Sequence, residues 1–335
     1  MRIDIILDAR ADAAELVELG LLAERYGIGG VWVSSLLDSR DPFSNLALLA
    51  DRSSRIALGP VAVNPYDMHP VRIASSLLTL NELADGRARI VIGGGGEALE
   101  ALGIEPLRRV RAVAECVDIL QAAASGKTVD YHGELFRVAK LRLDWLRAPR
   151  PPVYVGASMP QMLGMAARVA DGMMMSDMPA GLAGGALETL DAALAKNGRT
   201  RAEFQTNAFA AWHVYESSDQ AYAEARQWLV LRGIFRPWVL REFLDEADVD
   251  TVMASRSAFW DAFRSGSDSV EGVPRTVLDA MVDNLTFTGS ITSLEKKIEK
   301  LKSYESAGLR AISLRLYGDP AHSIKLLGER VVPQL

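Results

Sequence analysis

The chain has 335 residues, of which 49% are hydrophobic and 24% are charged, so it can bury one large core. Its formal net charge of −6 argues against binding to nucleic acid or to an anionic membrane surface. A single cysteine, Cys116, excludes an internal disulfide and fits a reducing compartment. We find neither a signal-peptide pattern nor an apolar run long enough to cross a membrane, and we therefore expect a cytoplasmic protein.

Short apolar segments alternate with longer segments of helical periodicity along the whole chain. The predicted strands, in chain order, are IDIILD, GVWVS, IALGPVAV, ARIVIGG, PVYVGA, GMMMS, a part of TNAFAAWHVYE, and AISLRL. Helices are predicted between them, among others over 70–84, around 106–124 and over 181–197. Eight such β–α units predict an α/β protein with a single (β/α)8 TIM barrel, formed by residues 1–335 as one domain.

Two segments interrupt this alternation. The sequence TVDYHGELFRV, over about 128–138, predicts a β-hairpin with His132 and Gly133 at its turn. Residues 231–285 predict a helical insertion between the seventh and eighth strands. The aromatic segment WLVLRGIFRPWVLREFL overlaps the start of this insertion, and its helical spacing is typical either of core or dimer packing or of a lid over a hydrophobic pocket.

The candidate site is the set of loops that follow the predicted strands, because chemistry in a barrel of this kind takes place at the C-terminal ends of the strands. These loops carry mostly small and polar residues, with few ionisable side chains. The four histidines of the chain show no metal-ligand spacing. We therefore predict no metal site.

The loop after the fourth strand carries a candidate proton-transfer residue. Glu97 stands among the glycines of IVIGGGGEALEALG, at the mouth of a strand that is predicted to be buried. A carboxyl group in an apolar environment can serve in general acid or base catalysis. The alternative is a glutamate at a helix start that interacts only with the helix dipole.

The loop after the fifth strand, in VGASMPQML, predicts an anion site. The small residues Gly156, Ala157 and Ser158 let the backbone approach a ligand closely. Pro160 at an early helical position leaves the amides of Ser158 and Met159 free to meet an anion such as a phosphate.

Five motifs follow one another along the chain: GPVAVNPYDMHP, LLTLNELADGRARIVIGGGGEALEALG, VDYHGELFRV, PVYVGASMPQMLGMAARVADGMMM and FTGSITSLEKKIEKLKSYESAGLRAISLRL. In this order they resemble the bacterial luciferase-like monooxygenase superfamily. Within it they are most similar to the branch that uses the deazaflavin coenzyme F420, which includes methylenetetrahydromethanopterin reductase. The resemblance covers nearly the whole chain and is specific to the family, but it does not identify the substrate.

The resemblance implies a role for the proline-rich loop after the third strand. In this family the strand ends in a bulge with a non-proline cis peptide that contacts the flavin or deazaflavin ring, and the alignment places it between Val61 and Ala62. The resemblance also assigns Gly156 to Met159 to the cofactor phosphate. It assigns Glu97 to a proton donor or acceptor.

Ser35, Asn64 and Ser176 follow the second, third and sixth predicted strands, and we expect them to contact the cofactor as well. Many family members carry an Asp-His pair where this chain has Ser35 and Leu36. This difference removes a general base and a ring contact. Either the substrate chemistry differs, or the cofactor differs, or the activity has been lost.

Three functions follow from the resemblance. The first is hydride transfer between coenzyme F420 and a small organic substrate. The second is an FMN-dependent monooxygenase that a partner flavin reductase supplies with reduced flavin, and the third is a non-catalytic flavin-binding protein. The two cofactors differ in that F420 carries an acidic lactyl-polyglutamate tail, which needs room and positive charge. The resemblance also implies a homodimer.

Overall fold

Each of the eight apolar segments that are predicted as strands forms a parallel strand of one nearly closed barrel. The computed structural model describes the backbone of residues 1–335 and every side chain except those of Glu97 and Ala98. The barrel strands are β1 (Arg2–Leu7), β2 (Gly30–Ser34), β3 (Ala57–Val61), β4 (Ile90–Ile92), β7 (Val153–Gly156), β8 (Gly172–Ser176), β9 (Gln205–Tyr215) and β11 (Ala311–Leu316). The other strands are β5 (Val129–His132), β6 (Arg137–Leu141) and β10 (Thr286–Ser290).

The strands follow one another around the barrel in the order β3, β2, β1, β11, β9, β8, β7 and β4. The barrel closes between β3 and β4, where two isolated parallel bridges join Leu58 to Ala88 and Val63 to Ile92. In this order β11 lies four strands away from β4 in either direction around the barrel. The ends of β4 and β11 therefore face each other across the barrel mouth.

Between the two bridges the backbones of β3 and β4 approach each other closely. A Cβ on Gly59 would lie 1.7 Å from the carbonyl oxygen of Arg89, so only glycine fits at this point of the seam. The peptide bond between Val61 and Ala62, at the end of β3, is cis. This is the bond at which the sequence analysis expects a cis peptide.

The end of the barrel opposite the mouth is filled by a buried polar cluster. The Asp4 carboxylate, which is fully buried, lies 3.0 Å from Nη1 of Arg89. The same carboxylate oxygen accepts hydrogen bonds from Nε1 of Trp32 (3.3 Å) and Nδ2 of Asn207 (3.4 Å). Above this cluster an apolar layer fills the barrel interior: Ile6, Trp32, Val61, Val91, Tyr154, Met174 and Phe209. A ligand can therefore enter only at the C-terminal mouth.

Helices cover the outside of the barrel. They are α1 (Ala13–Arg25), α2 (Pro42–Arg52), α3 (Pro70–Leu83), α4 (Glu97–Ala101), α5 (Arg109–Ala123), α6 (Pro160–Val169), α7 (Ala180–Lys196), α13 (Leu294–Ser306) and α14 (Pro320–Leu326). Asp12 caps α1 by accepting the N–H of Glu15 at 3.0 Å, and Asp41 caps α2 by accepting the N–H of Ser44 at 2.8 Å. The helices predicted over 70–84, 106–124 and 181–197 correspond to α3, α5 and α7.

The predicted helical insertion is present and is larger than expected. It consists of α8 (Ser218–Gln227), α9 (Pro237–Leu240), α10 (Glu246–Ala254), α11 (Arg256–Ser265) and α12 (Arg275–Leu285). These helices share an apolar core of their own. Glu224 of α8 contacts His213 of β9, near the C-terminal end of that strand. We call residues 218–285 the helical cap, because they lie at the mouth of the barrel.

One strand of the main sheet, β10, is not predicted from the sequence and lies outside the eight-stranded barrel. This strand pairs in parallel with the second half of β9, from Thr286 opposite Ala211 to Ser290 opposite Tyr215. Ala211 also pairs with β11, so β10 lies along the other edge of β9, beyond the point where β8 ends. The sequence pattern fails here because β10 is short, contains threonine and glycine, and follows α12 without a loop.

The predicted β-hairpin is confirmed by the antiparallel pair β5 and β6. Its turn is closed by a hydrogen bond from the N–H of Gly133 to the carbonyl oxygen of Phe136, at 2.9 Å. The second strand continues to Leu141, three residues beyond the predicted range. Among the helices that the structure describes, none combines the length and the hydropathy needed to cross a membrane.

Candidate active site

One wall of the barrel mouth is made of small residues at the ends of β3, β4 and β7. Ala62 is exposed, and a Cβ on Gly93 would lie 3.2 Å from the Cβ of Ala62. A Cβ on Gly156 would lie 3.9 Å from the Cα of Gly93, so the three residues form one continuous row. A flat ring can lie against such a row, because no long side chain projects from it. We call this row the small-residue wall.

The loop between β7 and α6 presents unused backbone N–H groups next to the small-residue wall. The N–H of Ala157 bonds to the carbonyl oxygen of Met174 at 3.1 Å. The N–H groups of Ser158 and Met159 have no hydrogen-bond acceptor in the described part of the chain. Pro160 is the first residue of α6, and the Met159 side chain does not cap the helix. The free amides and the helix dipole together favour an anion at this point.

A cleft of about 530 Å³ lies beside the start of α6 and is lined by the charged residues at the start of α5. Its lining includes Gln161, Arg108, Arg109, Arg111 and Glu134. Glu134 forms ion pairs with Arg108 and, at 2.8 Å, with Arg111. In the part of the chain whose side chains are described, no carboxylate pairs with Arg109. The cleft therefore offers one uncompensated guanidinium group next to the free amides.

The position of Glu134 is fixed by a buried carboxylate on α5. Glu115 is 2% exposed and accepts the N–H groups of Glu134 (2.8 Å), Leu135 (3.0 Å) and Phe136 (3.0 Å). A carboxylate with three backbone donors holds the hairpin turn rigidly against α5. Glu134 is thereby kept in front of two of the three arginines.

The opposite wall of the mouth, at β11, carries a buried arginine. Arg315 is 8% exposed, and its Nη2 lies 3.4 Å from Oδ1 of Asp8, which follows β1. Its Nη1 is buried and has no hydrogen-bond partner among the described residues. The guanidinium carbon lies 5.3 Å from the centre of the Tyr317 ring. This wall is therefore charged and aromatic, in contrast to the small-residue wall.

Next to Arg315, a histidine–glutamate pair joins the barrel to the helical cap. Nδ1 of His213 lies 2.6 Å from Oε2 of Glu224, and the Tyr215 hydroxyl donates to the same oxygen. The His213 ring is fully buried and stacks on the Tyr317 ring, with 4.5 Å between the ring centres. Burial is the main cause that lowers the pKa of His213, although Glu224 opposes it. The neutral ring therefore donates from Nδ1 to Glu224.

A buried ion pair also ties the helical cap to the end of β8. Nη1 of Arg232 lies 3.2 Å from Oδ1 of Asp177, and both side chains are at most 4% exposed. The Ser176 hydroxyl donates to Oδ2 of Asp177 at 2.6 Å. Arg236 donates to the carbonyl oxygens of Ser176 (3.0 Å) and Asp177 (2.9 Å). Ser176, which the sequence analysis assigns to the cofactor, thus has a protein partner for its hydroxyl.

The other residues that the sequence assigns to the site lie around the mouth. The N–H of Ser35 bonds to the carbonyl oxygen of Val61 at 3.0 Å, which joins β2 to the end of β3. Val61 itself belongs to the apolar interior of the barrel and is 7% exposed, so Ala62 is the member of this pair that is open to the mouth. Leu36, which stands where the sequence analysis expects the histidine of an Asp-His pair, is 50% exposed.

Asn64 has a local structural role in its loop. Its side-chain oxygen accepts the N–H groups of Tyr66 (3.0 Å) and Asp67 (3.2 Å), and its Nδ2 donates to Asp67 at 2.7 Å. The side-chain amide of Asn64 therefore makes hydrogen bonds within the turn after β3. The side chain of Glu97 lies outside the described residues, so its assignment to proton transfer stays a prediction.

Sequence reasoning missed the charged wall. Arg315 interrupts the apolar strand AISLRL at a position that alternation places on the same face as Ser313, and this break in the pattern is a usable signal. His213 stands in the same way in AAWHVY. The partner of His213 is Glu224, eleven residues further on in α8, and the partner of Arg315 is Asp8, near the other end of the chain; no local pattern indicates either pairing.

The geometry defines a parallel α/β barrel with a candidate ligand site at its C-terminal mouth. The chain belongs to the luciferase-like monooxygenase family, whose family model matches residues 1–311. The chain is 34% identical over 324 residues to the 5,10-methylenetetrahydromethanopterin reductase of Archaeoglobus fulgidus, covering 94% of this chain and 93% of the relative. It is 25% identical to the F420-dependent glucose-6-phosphate dehydrogenase of Microbacterium testaceum, covering 96% and 93%.

The solved structures agree on the fold. The structure of the coenzyme F420-dependent tetrahydromethanopterin reductase from Methanopyrus kandleri superposes with a TM-score of 0.81 at 20% identity and covers 99% of this chain and 98% of that chain. The predicted TIM barrel and the predicted family are thus confirmed. The relatives in this comparison are reductases and a dehydrogenase, and the expectation of an enzyme of the oxidoreductase class is confirmed at the level of the family.

The buried histidine predicts a specific pH dependence of stability. The pKa of folded His213 lies below the ordinary value of 6.5, so below pH 6.5 the unfolded chain binds a proton that the folded chain excludes. Stability should fall as the pH drops below 6.5. The measurement is the free energy of unfolding, from denaturant titrations between about pH 8 and about pH 5. As the pH falls, this free energy should decrease less in His213→Gln than in the parent, and the two slopes should differ by up to about 1.4 kcal/mol per pH unit. His132→Gln, at an exposed position of the hairpin, is the control and should keep the parental slope; equal slopes in all three proteins would contradict the assignment.

Proposed function

We propose that the chain is an oxidoreductase that transfers a hydride between coenzyme F420 and a small organic substrate. The proposal rests on three neighbouring structural features along the β4–β7 side of the mouth. The small-residue wall, the free amides before α6 and the uncompensated Arg109 follow one another there. The names of the relatives that specify F420 support the same cofactor.

The residues present fit such a cofactor. The ring would lie against Ala62, Gly93 and Gly156, because these residues present no long side chain to the mouth, and a Cβ on Gly93 would already come within 3.2 Å of the Cβ of Ala62. The phosphate would meet the N–H groups of Ser158 and Met159, which lack other acceptors in the described part of the chain. When bound, the deazaflavin ring would supply the group that accepts or donates the hydride.

The arginine cleft favours F420 over FMN. An acidic tail that continues from the phosphate needs cations, and the cleft beside Gln161 provides them. Since Glu134 neutralises part of the charge of Arg108 and Arg111, Arg109 is the residue that we assign to the tail. FMN ends at its phosphate and would not reach this charge.

The proton that accompanies hydride transfer is assigned to Glu97. A serine of ordinary acidity and a leucine, Ser35 and Leu36, stand where many family members have an Asp-His pair, and neither exchanges protons near neutral pH. Glu97 in the glycine loop after β4 is the carboxyl group that matches the glutamate of the family. We propose that it serves as the general acid or base.

The first test concerns the phosphate. Ser158→Asp places a fixed carboxylate beside the free amides, so it should weaken the binding of both F420 and FMN by at least about tenfold. Absorbance or fluorescence titration of the purified protein with each cofactor measures this. Ser125→Asp makes the same charge change at an exposed position after α5, at the other end of the barrel, and should leave both affinities unchanged. Unaltered binding by Ser158→Asp would place the phosphate elsewhere.

The second test distinguishes the two cofactors. Arg109→Glu should weaken F420 binding by about tenfold or more at low salt, and it should change FMN binding by less than about threefold, because only F420 has an acidic tail. Arg137→Glu on the exposed face of the hairpin is the matched control. An equal loss for both cofactors would remove the tail assignment. If the parent protein binds FMN and not F420, the alternative of an FMN-dependent monooxygenase replaces our proposal.

The third test concerns proton transfer. Glu97→Gln keeps the size of the side chain and removes the titrating group, so single-turnover hydride transfer should slow by roughly two to four orders of magnitude. Cofactor affinity, measured by titration, should stay close to that of the parent. A variant that is as fast as the parent at matched cofactor occupancy would return Glu97 to a purely structural role at the start of α4.

A further inference from the structure

Arg315 lies one residue before the end of β11, on the inner face of the barrel. Two residues earlier, Ser313 donates its hydroxyl to Oδ1 of Asn207 inside the barrel at 3.1 Å. Because side chains alternate along a strand, Arg315 points to the same interior, one repeat closer to the mouth. The residue is nevertheless only 8% exposed.

The charge of Arg315 is only partly compensated. Among the residues whose side chains are described, its carboxylate partner is Asp8, at 3.4 Å, whose side chain is 55% exposed. The same oxygen of Asp8 already accepts the N–H of Arg10 at 2.9 Å. A long contact to a half-exposed carboxylate is screened by water, and it neutralises a buried guanidinium weakly.

Two buried donors at this place lack partners. Nη1 of Arg315 and Nε of Arg232 are both buried without a hydrogen-bond partner among the described residues. The two guanidinium carbons lie 5.3 Å and 6.0 Å from the centre of the same Tyr317 ring. Buried polar groups in native proteins are nearly always paired, so two unpaired donors beside one ring indicate that an acceptor is missing.

We propose that the guanidinium group of Arg315 binds an anionic group of the substrate, a carboxylate or a phosphate, at the mouth of the barrel. This inference rests on the proposed function. The planar fork of an arginine matches the two oxygens of such a group, and the arginine is fixed in advance by Asp8 and Tyr317. The unpaired Nε of Arg232 is a second donor on the same side of the mouth.

The position of β11 assigns the anion to the substrate and not to the cofactor. β11 faces β4 across the barrel, whereas the free amides of Ser158 and Met159 follow β7, next to β4. Arg315 is therefore on the wall that faces the small-residue wall. A ring that lies against the small-residue wall would have its open face toward Arg315, which is where the substrate of a hydride transfer must lie.

The test is a calorimetric titration with inorganic phosphate and, separately, with acetate. It is made on the Ser158→Asp protein without cofactor, in which the proposed cofactor phosphate site is blocked. In this background Arg315→Gln should weaken binding of both anions by at least about tenfold, and Arg315→Lys should recover part of the loss. Arg310→Gln, on the same stretch of chain but at the opposite end of the barrel, is the matched control and should bind like the background protein. The Arg315→Lys variant keeps a positive charge at this position. If Arg315→Gln does not fold, the affinity of Arg315→Lys for the two anions tests the proposal.

A second arm identifies the source of the anion. In protein saturated with F420, phosphate and acetate should still bind, and Arg315→Gln should leave the affinity for F420 itself unchanged. If F420 competes with the anions and Arg315→Gln weakens F420 binding, the cofactor supplies the anion and the inference is wrong. Equal anion binding with and without Arg315 would also overturn it. If F420 does not bind at all, the proposed function fails, while the cofactor-free arm still decides whether Arg315 holds an anion.

Discussion

The close approach of β3 and β4 is the constraint on which the rest of the molecule depends. Gly59 lies so near the carbonyl oxygen of Arg89 that the two strands can meet only because glycine has no side chain. Arg89, on the other side of this seam, reaches Asp4 in the barrel interior at 3.0 Å. Removing one partner of such a buried pair typically lowers the free energy of unfolding by about 3–5 kcal/mol. The seam that closes the barrel therefore also fixes the end of β3, where Ala62 becomes part of the mouth.

The mouth is divided into two chemically different walls by the order of the strands. β3, β4 and β7 are neighbours and contribute alanine and glycine, whereas β11, β9 and β8 contribute arginine, histidine and aspartate. The helical cap is joined to the second wall through Arg232 with Asp177 and Glu224 with His213. One side of the mouth is thus open and smooth, and the other side is braced and charged. A flat ring and a polar substrate would fit between walls of these two kinds.

The sequence predicts the barrel well because apolar strand segments and helical segments alternate regularly along the chain. Each barrel strand is a short apolar run, and each loop after a strand has a known place in a TIM barrel. Such local patterns locate Gly156 and Ser158 without a structure, whereas Ala62 is located only by the resemblance to the family. They fail for β10, which is neither apolar throughout nor separated from α12, and for the partners of Arg315 and His213. Asp8 and Arg315 lie near opposite ends of the chain, and only the closure of the barrel brings them together. Glu224 reaches His213 from the helix that follows β9, and the strand pattern does not indicate that this helix turns back over the strand end.

The burial of the charged wall constrains where proton transfer can take place. His213 is fully buried, donates to Glu224 and is covered on one face by Tyr317, so a substrate cannot reach its ring without a rearrangement of these three side chains. The Asp177 carboxylate is likewise engaged by Arg232 and Ser176. Side chains that are buried and held by protein partners in this way are not accessible to a substrate at the mouth. Since Ser35 and Leu36 do not exchange protons near neutral pH, the proposed hydride transfer is consistent with our assignment of the proton to Glu97, which lies outside this network.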